Sequence, residues 1–425
     1  MPRCARLLHL LEENRMKNLI ITAICLLIII TAGNFVIGCK QSKVAKEPEN
    51  VKVGILFPMS GDLADKGKDS ANGVSLAAEE INAAGGIKAL GNAKLELFIG
   101  DTLGNPDTGA REAKRLIKDK GVAALIGTYQ SSVTKVATQV AERLETPIII
   151  SISIADVITE RGFRYTFRIQ PKARYYGRDQ VRFLADLGKL AGYPVKRVAL
   201  LHENTDFGTA SALGQKGALH EHDIKMVAEV SYVADKVTDL SKEVAQVLAA
   251  KPDAILEVTY LNDSILIRRA LAKAGSRIPL VDTAGGTVSP EYIKELGPLA
   301  EGTFTLSEYS KYIPGGKELN DRFRARFGVD ITGDSAYAYQ AVWVLKDALE
   351  RAGSIDKKKL RHALAATDMP KGPQMILPTE RLRFDAHGQN EFARLFVVQI
   401  QNGEMIPVWP QEDATAKVFV KDNRR

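Results

Sequence analysis

The chain has 425 residues, 45% hydrophobic and 26% charged, which suits two packed domains and excludes a largely disordered protein. Its formal net charge of +7 comes from basic residues scattered among acidic ones, and no Lys/Arg block with interleaved aromatics points to nucleic acid. All three cysteines, Cys4, Cys25 and Cys39, precede the body of the chain, which therefore has no disulfide, thiolate metal site or cysteine nucleophile.

The first element is a leader. No charge occurs from Asn18 to Cys39, and an apolar run from Leu19 to Gly33 follows Arg15 and Lys17, the layout of a secretory signal. An uncleaved membrane helix is the alternative, since about 20 apolar residues also span a bilayer. Val36-Ile37-Gly38-Cys39 resembles the lipobox of bacterial lipoproteins, in which the cysteine is lipidated and becomes the new N-terminus. The resemblance implies a signal peptide over 1–38 and a lipidation site at Cys39. Residues 1–15 carry Glu12 and Glu13 and fit a signal poorly, so Met16-Lys17 reads as the better start. Residues 39–50 are polar with one proline and read as a lipidated tether.

In the body, short apolar runs alternate with segments of helical period, the pattern of parallel sheets with crossover helices. The strands expected are 51–57, 95–101, 123–127, 147–151, 197–202, 226–232, 254–258 and 278–282. Helices are expected over 70–84, 106–119, 131–145, 179–191, 209–221, 240–250 and 263–274. A helix-rich stretch over 318–366 and strands at 382–384 and 395–401 close the chain. The fold class is α/β, with two doubly wound parallel-sheet lobes divided near Pro171. Ligands of such sheets sit outside the carboxyl ends of the strands, so the residues following each strand are the site candidates.

Those residues resemble a known family. Gly54-Ile55-Leu56-Phe57-Pro58-Met59-Ser60-Gly61-Asp62-Leu63-Ala64, then Gly67, Asn72-Gly73-Val74 and Glu79-Glu80-Ile81-Asn82-Ala83-Ala84-Gly85-Gly86-Ile87, is similar to the opening of type I periplasmic binding proteins of the leucine/isoleucine/valine-binding family. The likeness continues through Asp101-Thr102, Leu125-Ile126-Gly127, Ser131-Ser132, Phe167-Arg168, Asp206-Phe207-Gly208 and Phe384-Asp385. It implies two lobes joined by a three-strand hinge, with lobe one at 51–171 plus 306–375, lobe two at 172–305 plus 376–412, and a tail at 413–425. It also implies delivery of a ligand to an ABC permease by a lipid-anchored monomer in the periplasmic or extracytoplasmic cell envelope.

Site residues follow from the same resemblance. Ser131 matches the serine that holds a ligand carboxylate, and with Ser132 it opens a helix whose free N–H groups suit an anion; a plain helix cap is the bland reading. Ile154, beside Ser153, stands where amino-acid binders carry a second carboxylate-binding threonine. Phe207, Tyr260 and Tyr129 are expected as aromatic walls, and Lys66 as a cation at the mouth. The acid that pairs with a ligand ammonium aligns with Ala284, while Asp282 lies two residues earlier. The ligand is therefore expected to be a small organic acid without an α-ammonium, with a branched-chain amino acid paired to Asp282 as the runner-up. His202 reads as a hydrogen-bonded structural residue.

An enzyme using Ser131 or Ser132 with His202 as base is disfavoured, because no Gly-x-Ser-x-Gly elbow or Gly-rich phosphate loop accompanies them. No cofactor and no metal are expected. A sensor that hands its closed state to a signalling partner needs the same cleft and is not separable from a transport receptor by these residues.

Overall fold

The computed structural model describes residues 49–234, 237–372 and 375–421, together with 15, 16, 18 and 19. Two compact units divide the chain at Pro48, and in the first only those four residues, all helical, are described. Cys39 and the rest of the expected signal and lipobox lie outside the described residues.

The unit Glu49–Arg425 begins with β1 (Val51–Phe57), buried along nearly its whole length. A strand covered on both faces has no polar side to show, which is why it reads as a continuous apolar run. It pairs in parallel with β2 (Leu95–Asp101) and β3 (Ala124–Gly127), and β4 (Ile148–Ile150) and β5 (Thr166–Arg168) extend the sheet in the order β2-β1-β3-β4-β5. Successive residues point to opposite faces. Ile55 and Ile126 join one core with Val74 and Ile81 of α1 (Ala64–Ala83), while Leu56 and Leu125 join another with Leu116 of α2 (Pro106–Lys118) and Val140 of α3 (Ser131–Arg143).

Lobe two repeats this plan. After α4 (Ala173–Ala191) come β6 (Arg197–Glu203), α5 (Asp206–Leu219), β7 (Lys225–Tyr232), α6 (Ser241–Ala249), β8 (Ala254–Val258), α7 (Leu261–Lys273), β9 (Leu280–Asp282), α8 (Pro290–Leu296) and β10 (Phe304–Ser307). The parallel order β7-β6-β8-β9-β10 matches that of the first sheet strand for strand. The chain then returns to lobe one as α9 (Gly316–Phe327), α10 (Gly333–Ala352) and α11 (Lys357–Ala365), whose Val342, Leu345 and Leu360 complete the core under α1. A small antiparallel pair, β11 (Asp368–Pro370) and β12 (Arg381–Arg383), precedes β13 (Phe396–Gln401) and β14 (Glu404–Trp409), which add to lobe two antiparallel at β10.

Several sequence expectations move. Helix α1 starts at Ala64 rather than 70, because Gly67 is not a break: a Cβ there would sit 1.9 Å from the Pro58 carbonyl oxygen, so the helix start and the loop after β1 are in backbone contact. Strands β5 and β10, of three and four residues, are too short to stand out as apolar runs. Ile376, Leu377, Leu382 and Phe384, counted with lobe two in the sequence, pack instead in the main core of lobe one. At the chain's end Val418 and Val420 pack on the lobe-two core, and Gln399 Nε2 donates to the Phe419 carbonyl, so these residues of the expected tail are held.

Three crossings connect the lobes, and Arg168 ties two of them. Its backbone pairs with Gly388 and Asn390, and its fully buried guanidinium donates to Gln389 Oε1 (2.6 Å), the Ala155 carbonyl (2.8 Å) and Thr159 Oγ1 (2.9 Å). Among the described residues no helix is long and apolar enough to cross a membrane.

Candidate ligand-binding site

A small cavity lies between the two lobes, lined by residues that follow the carboxyl ends of the parallel strands. Tyr129 and Ser131 come after β3, Ser153 and Ile154 after β4, and Gln170 after β5. From the other lobe come Phe207 after β6, Tyr260 after β8, Ala284 after β9 and Glu308 after β10. Tyr176 of α4 and Asp334 of α10 also line it. Doubly wound sheets place ligands at this edge, where strand ends and helix N-termini leave free backbone groups.

Ser131 is the first residue of α3, and its Oγ accepts from the Ala155 N–H at 3.2 Å. The hydroxyl proton remains available to a carboxylate, in the field of a helix N-terminus. Ser153 is committed internally: its hydroxyl donates to the Tyr129 carbonyl at 2.7 Å and contacts Thr134. Ile154 presents an apolar side chain to the cavity while its carbonyl caps the start of α4 at Ala173. Ser132 does not line this cavity; it faces the neighbouring groove with Asp62, Thr205 and Asn262.

The three aromatics come together. Tyr260 stands between Phe207 and Tyr129, with ring centroids 5.3 Å and 6.4 Å away at tilts of 43° and 37°. Burial pushes the hydroxyl pKa of both tyrosines well above the usual value, so they act as neutral donors.

Besides Ser132, two further expected site residues are placed elsewhere. Asp282 is fully buried and turned into its own loop, where it accepts from Thr259 Oγ1, the N–H groups of Gly285 and Thr287, and Thr287 Oγ1. Four donors occupy its carboxylate, so it shapes the 283–287 turn and does not line the cavity. Lys66 is 9% exposed in α1 rather than solvated in a loop, with Nζ 3.7 Å from Asp334 Oδ2. His202 holds the Glu203 carbonyl through Nδ1 at 2.8 Å and does not line the cavity, as a structural histidine would.

The sequence reading missed four polar groups: Gln170, Tyr176, Glu308 and Asp334. Glu308 is 7% exposed and accepts from Gln170 Nε2 at 2.8 Å and from the Tyr176 hydroxyl. Burial pushes its pKa up to about 7 against those bonds. Asp334, in the first turn of α10, is also raised by burial, with Lys66 opposing. Behind it Asp69, bonded to Thr332 Oγ1, is raised to about 6 by burial. The signal for Asp334 in the sequence, Thr332-Gly333-Asp334-Ser335, is that of a capping box, and Thr332 and Ser335 do form one.

Comparison with known proteins agrees with this geometry. The family model described as periplasmic binding protein matches residues 50–404. The Leu/Ile/Val-binding protein homolog 8 of Brucella abortus (strain 2308) is 31% identical over 385 residues, covering 88% of this chain and 93% of that protein. Among solved structures, the branched-chain amino acid transporter substrate binding protein of Streptococcus pneumoniae, in complex with isoleucine, superposes with TM-score 0.73 at 23% identity, covering 84% of this chain and 98% of that one. A solute binding protein of an ABC transporter from Rhodopseudomonas palustris BisB5, in complex with 3,4-dihydroxybenzoic acid, gives TM-score 0.72 at 21% identity, covering 88% and 99%. At those identities the structures show the shared fold. With a lobed α/β body, an interlobe cavity and a family match over nearly all of it, the chain belongs to the periplasmic binding proteins of the leucine/isoleucine/valine-binding family, substrate-binding proteins and not enzymes.

Proposed function

We propose that this protein captures a small amino acid or organic acid in its interlobe cleft, outside the cytoplasm, and delivers it to an ABC-type permease. The observation that carries the reading is the cavity itself: an apolar aromatic wall from lobe two faces the helix N-terminus and hydroxyl of Ser131 from lobe one. That pairing suits a compact body with one carboxylate. Ligand bound to both lobes stabilises the closed arrangement by contacts that an open one lacks. The relatives in complex with isoleucine and with 3,4-dihydroxybenzoic acid support the ligand class. Lipidation at Cys39, a monomeric state and a tether up to residue 50 belong to the same reading, supported by Val36-Ile37-Gly38-Cys39 and testable by the intact mass of the membrane-extracted chain.

Calorimetry with leucine, isoleucine, benzoate and 3,4-dihydroxybenzoate tests the capture. At least one binds the wild type, and Ser131→Ala weakens it by about tenfold or more, since a hydrogen bond to a charged group contributes roughly 1.5–3 kcal/mol. Equal affinity of wild type and variant removes Ser131 from the site and the reading with it.

A further inference from the structure

The parallel strands of lobe one run from a base, where they begin, to the edge that holds the cavity. The chain enters at that base, since Glu49 and Asn50 lead directly into β1. Beside this entry lie the starts of two neighbouring strands. The Val51 N–H donates to the Lys94 carbonyl ahead of β2, and the Ala123 N–H ahead of β3 donates to the Lys52 carbonyl, both at 2.8 Å. Helices that link parallel strands return to the strands' amino ends, so the last turns of α2 and α3 reach the same base. The end of α10 arrives there too: Glu350 accepts from the N–H groups of Lys88 and Ala89, a few residues before β2, and α11 then starts at Lys357.

This base is basic. Lys118 and Lys120 lie at the end of α2, Lys357 and Lys358 open α11, and Lys52 and Lys94 flank the chain's entry. Lys118 is close enough to Lys357 to lower its pKa, behind the larger effect of partial burial. Lys120 Nζ stands 5.8 Å from the centre of the Phe98 ring of β2, and Lys358 Nζ lies 3.5 Å from Glu145 Oε2, just before β4. Of these six lysines only Lys358 has an ion-pair partner among the described residues. The acids nearby are engaged elsewhere or exposed: Asp356 caps α11 by accepting from the Lys359 N–H at 3.0 Å, Glu350 pairs with Lys346 at 3.2 Å, and Asp119 faces solvent. In the loop before α11, Ile355 is 43% exposed. Like charges set side by side repel, and a surface of opposite sign relieves the repulsion.

We infer that the base of lobe one is a docking surface for anionic phospholipid headgroups, held against the bilayer that anchors Cys39, with Ile355 adding an apolar contact. The inference rests on the lipid anchor proposed above. Residues 40–50 span at most about 40 Å when fully extended, lead into the body at this base, and themselves carry Lys40, Lys43 and Lys46. A tether that short keeps the base at high effective concentration beside the headgroups, so weak contacts of about fivefold per lysine suffice to hold it. Nucleic acid or an acidic protein would meet the same charges, but the anchor makes the membrane the surface always within reach. Docked in this way, the carboxyl edge of the sheet, with the cavity, points away from the bilayer.

The experiment uses residues 49–425, a compact unit whose cores draw on residues from Val51 onward, so that neither anchor nor leader contributes. It is sedimented with vesicles of phosphatidylcholine alone and of phosphatidylcholine with phosphatidylglycerol in equal parts, at low salt. Wild type binds the anionic vesicles at least tenfold more tightly than the neutral ones, and added sodium chloride releases it. Lys118→Ala with Lys357→Ala weakens that binding by about tenfold or more. The control pair Lys196→Ala with Lys216→Ala, which removes the same charge from lobe two, stays within about twofold of wild type, and circular dichroism confirms that both variants fold. The inference is overturned if anionic and neutral vesicles bind alike, if the Lys118 and Lys357 pair matches wild type, or if the control pair weakens binding as much, which would leave net charge as the cause. Release by inorganic phosphate but not by chloride of equal ionic strength also overturns it, in favour of a free-phosphate site. Failure of the anchor reading registers separately, as an intact mass without lipid at Cys39.

Discussion

Replacing Arg168 by methionine is expected to lower the stability of the protein by about 3 kcal/mol or more and to weaken ligand capture with it. The guanidinium is fully buried and hydrogen-bonds no acid among the described residues; its donors go to Gln389, Thr159 and the carbonyls of Ser153 and Ala155. Burial lowers its pKa to about 10, which still leaves it charged at neutral pH. Methionine keeps the apolar stem but takes the donor from four acceptors, of which Thr159 Oγ1 and Gln389 Oε1 keep their mutual bond and the Ser153 and Ala155 carbonyls lose the guanidinium, each unpaired buried acceptor costing roughly 1–3 kcal/mol. The lost contacts also hold the 153–155 segment against the crossing at Gln389, so the cavity wall at Ile154 loses its support. Lysine should not rescue the variant, because a single ammonium cannot reproduce the planar fork that reaches all four partners. Urea unfolding monitored by fluorescence measures the loss. A change under about 1 kcal/mol would mean that water replaces the guanidinium and that the crossing does not depend on it.

Glu257→Leu is expected to act in the opposite direction. Glu257 lies fully buried in β8, directly across from Asp282 of β9, and neither of its carboxylate oxygens has a partner among the described residues. Burial, with Asp282 and Asp263 adding repulsion, pushes its pKa well above the usual 4.5, so folding favours its protonated form. The unfolded chain releases that proton near the ordinary carboxylate pKa. Stability from the retained proton is thus fully present below about pH 4.5 and is lost as pH rises through the folded value. At pH 7 the wild type therefore carries a cost that leucine lacks, and the variant should be more stable by about 1–3 kcal/mol. Urea titrations at pH 5 and pH 8 should show the gain growing with pH. A variant less stable than wild type at pH 8 would mean that the carboxylate is satisfied in solution by groups such as bound water.

How much of this was legible from the chain depends on the kind of signal each residue leaves. β1, β3 and β8 announce themselves as apolar runs because both faces of a parallel sheet are covered. Ser131, Phe207 and Tyr260 were found because each follows a strand that could be recognised. Glu308 follows β10, a four-residue strand with no period to read, and so the most heavily buried acid of the cavity went unseen. Asp334 sits in a capping box, where an acid near a helix N-terminus needs no ligand to explain it. Asp282 was misread for the converse reason: an acid at a strand end looks available, and only the turn 283–287 folding back over it shows that Gly285 and Thr287 use it. Lys66 illustrates the same limit, since a lysine beside Gly67 reads as a loop until the close approach of Pro58 explains the glycine.

The most direct test of the central claim is a crystal structure of the protein grown with the tightest-binding probe of the set above. The account predicts the probe between the lobes, its carboxylate within hydrogen-bond distance of Ser131 Oγ at the start of α3 and its body against Tyr260 and Phe207. A probe held outside the cavity, or an interlobe cavity left empty while the probe binds elsewhere, would contradict it.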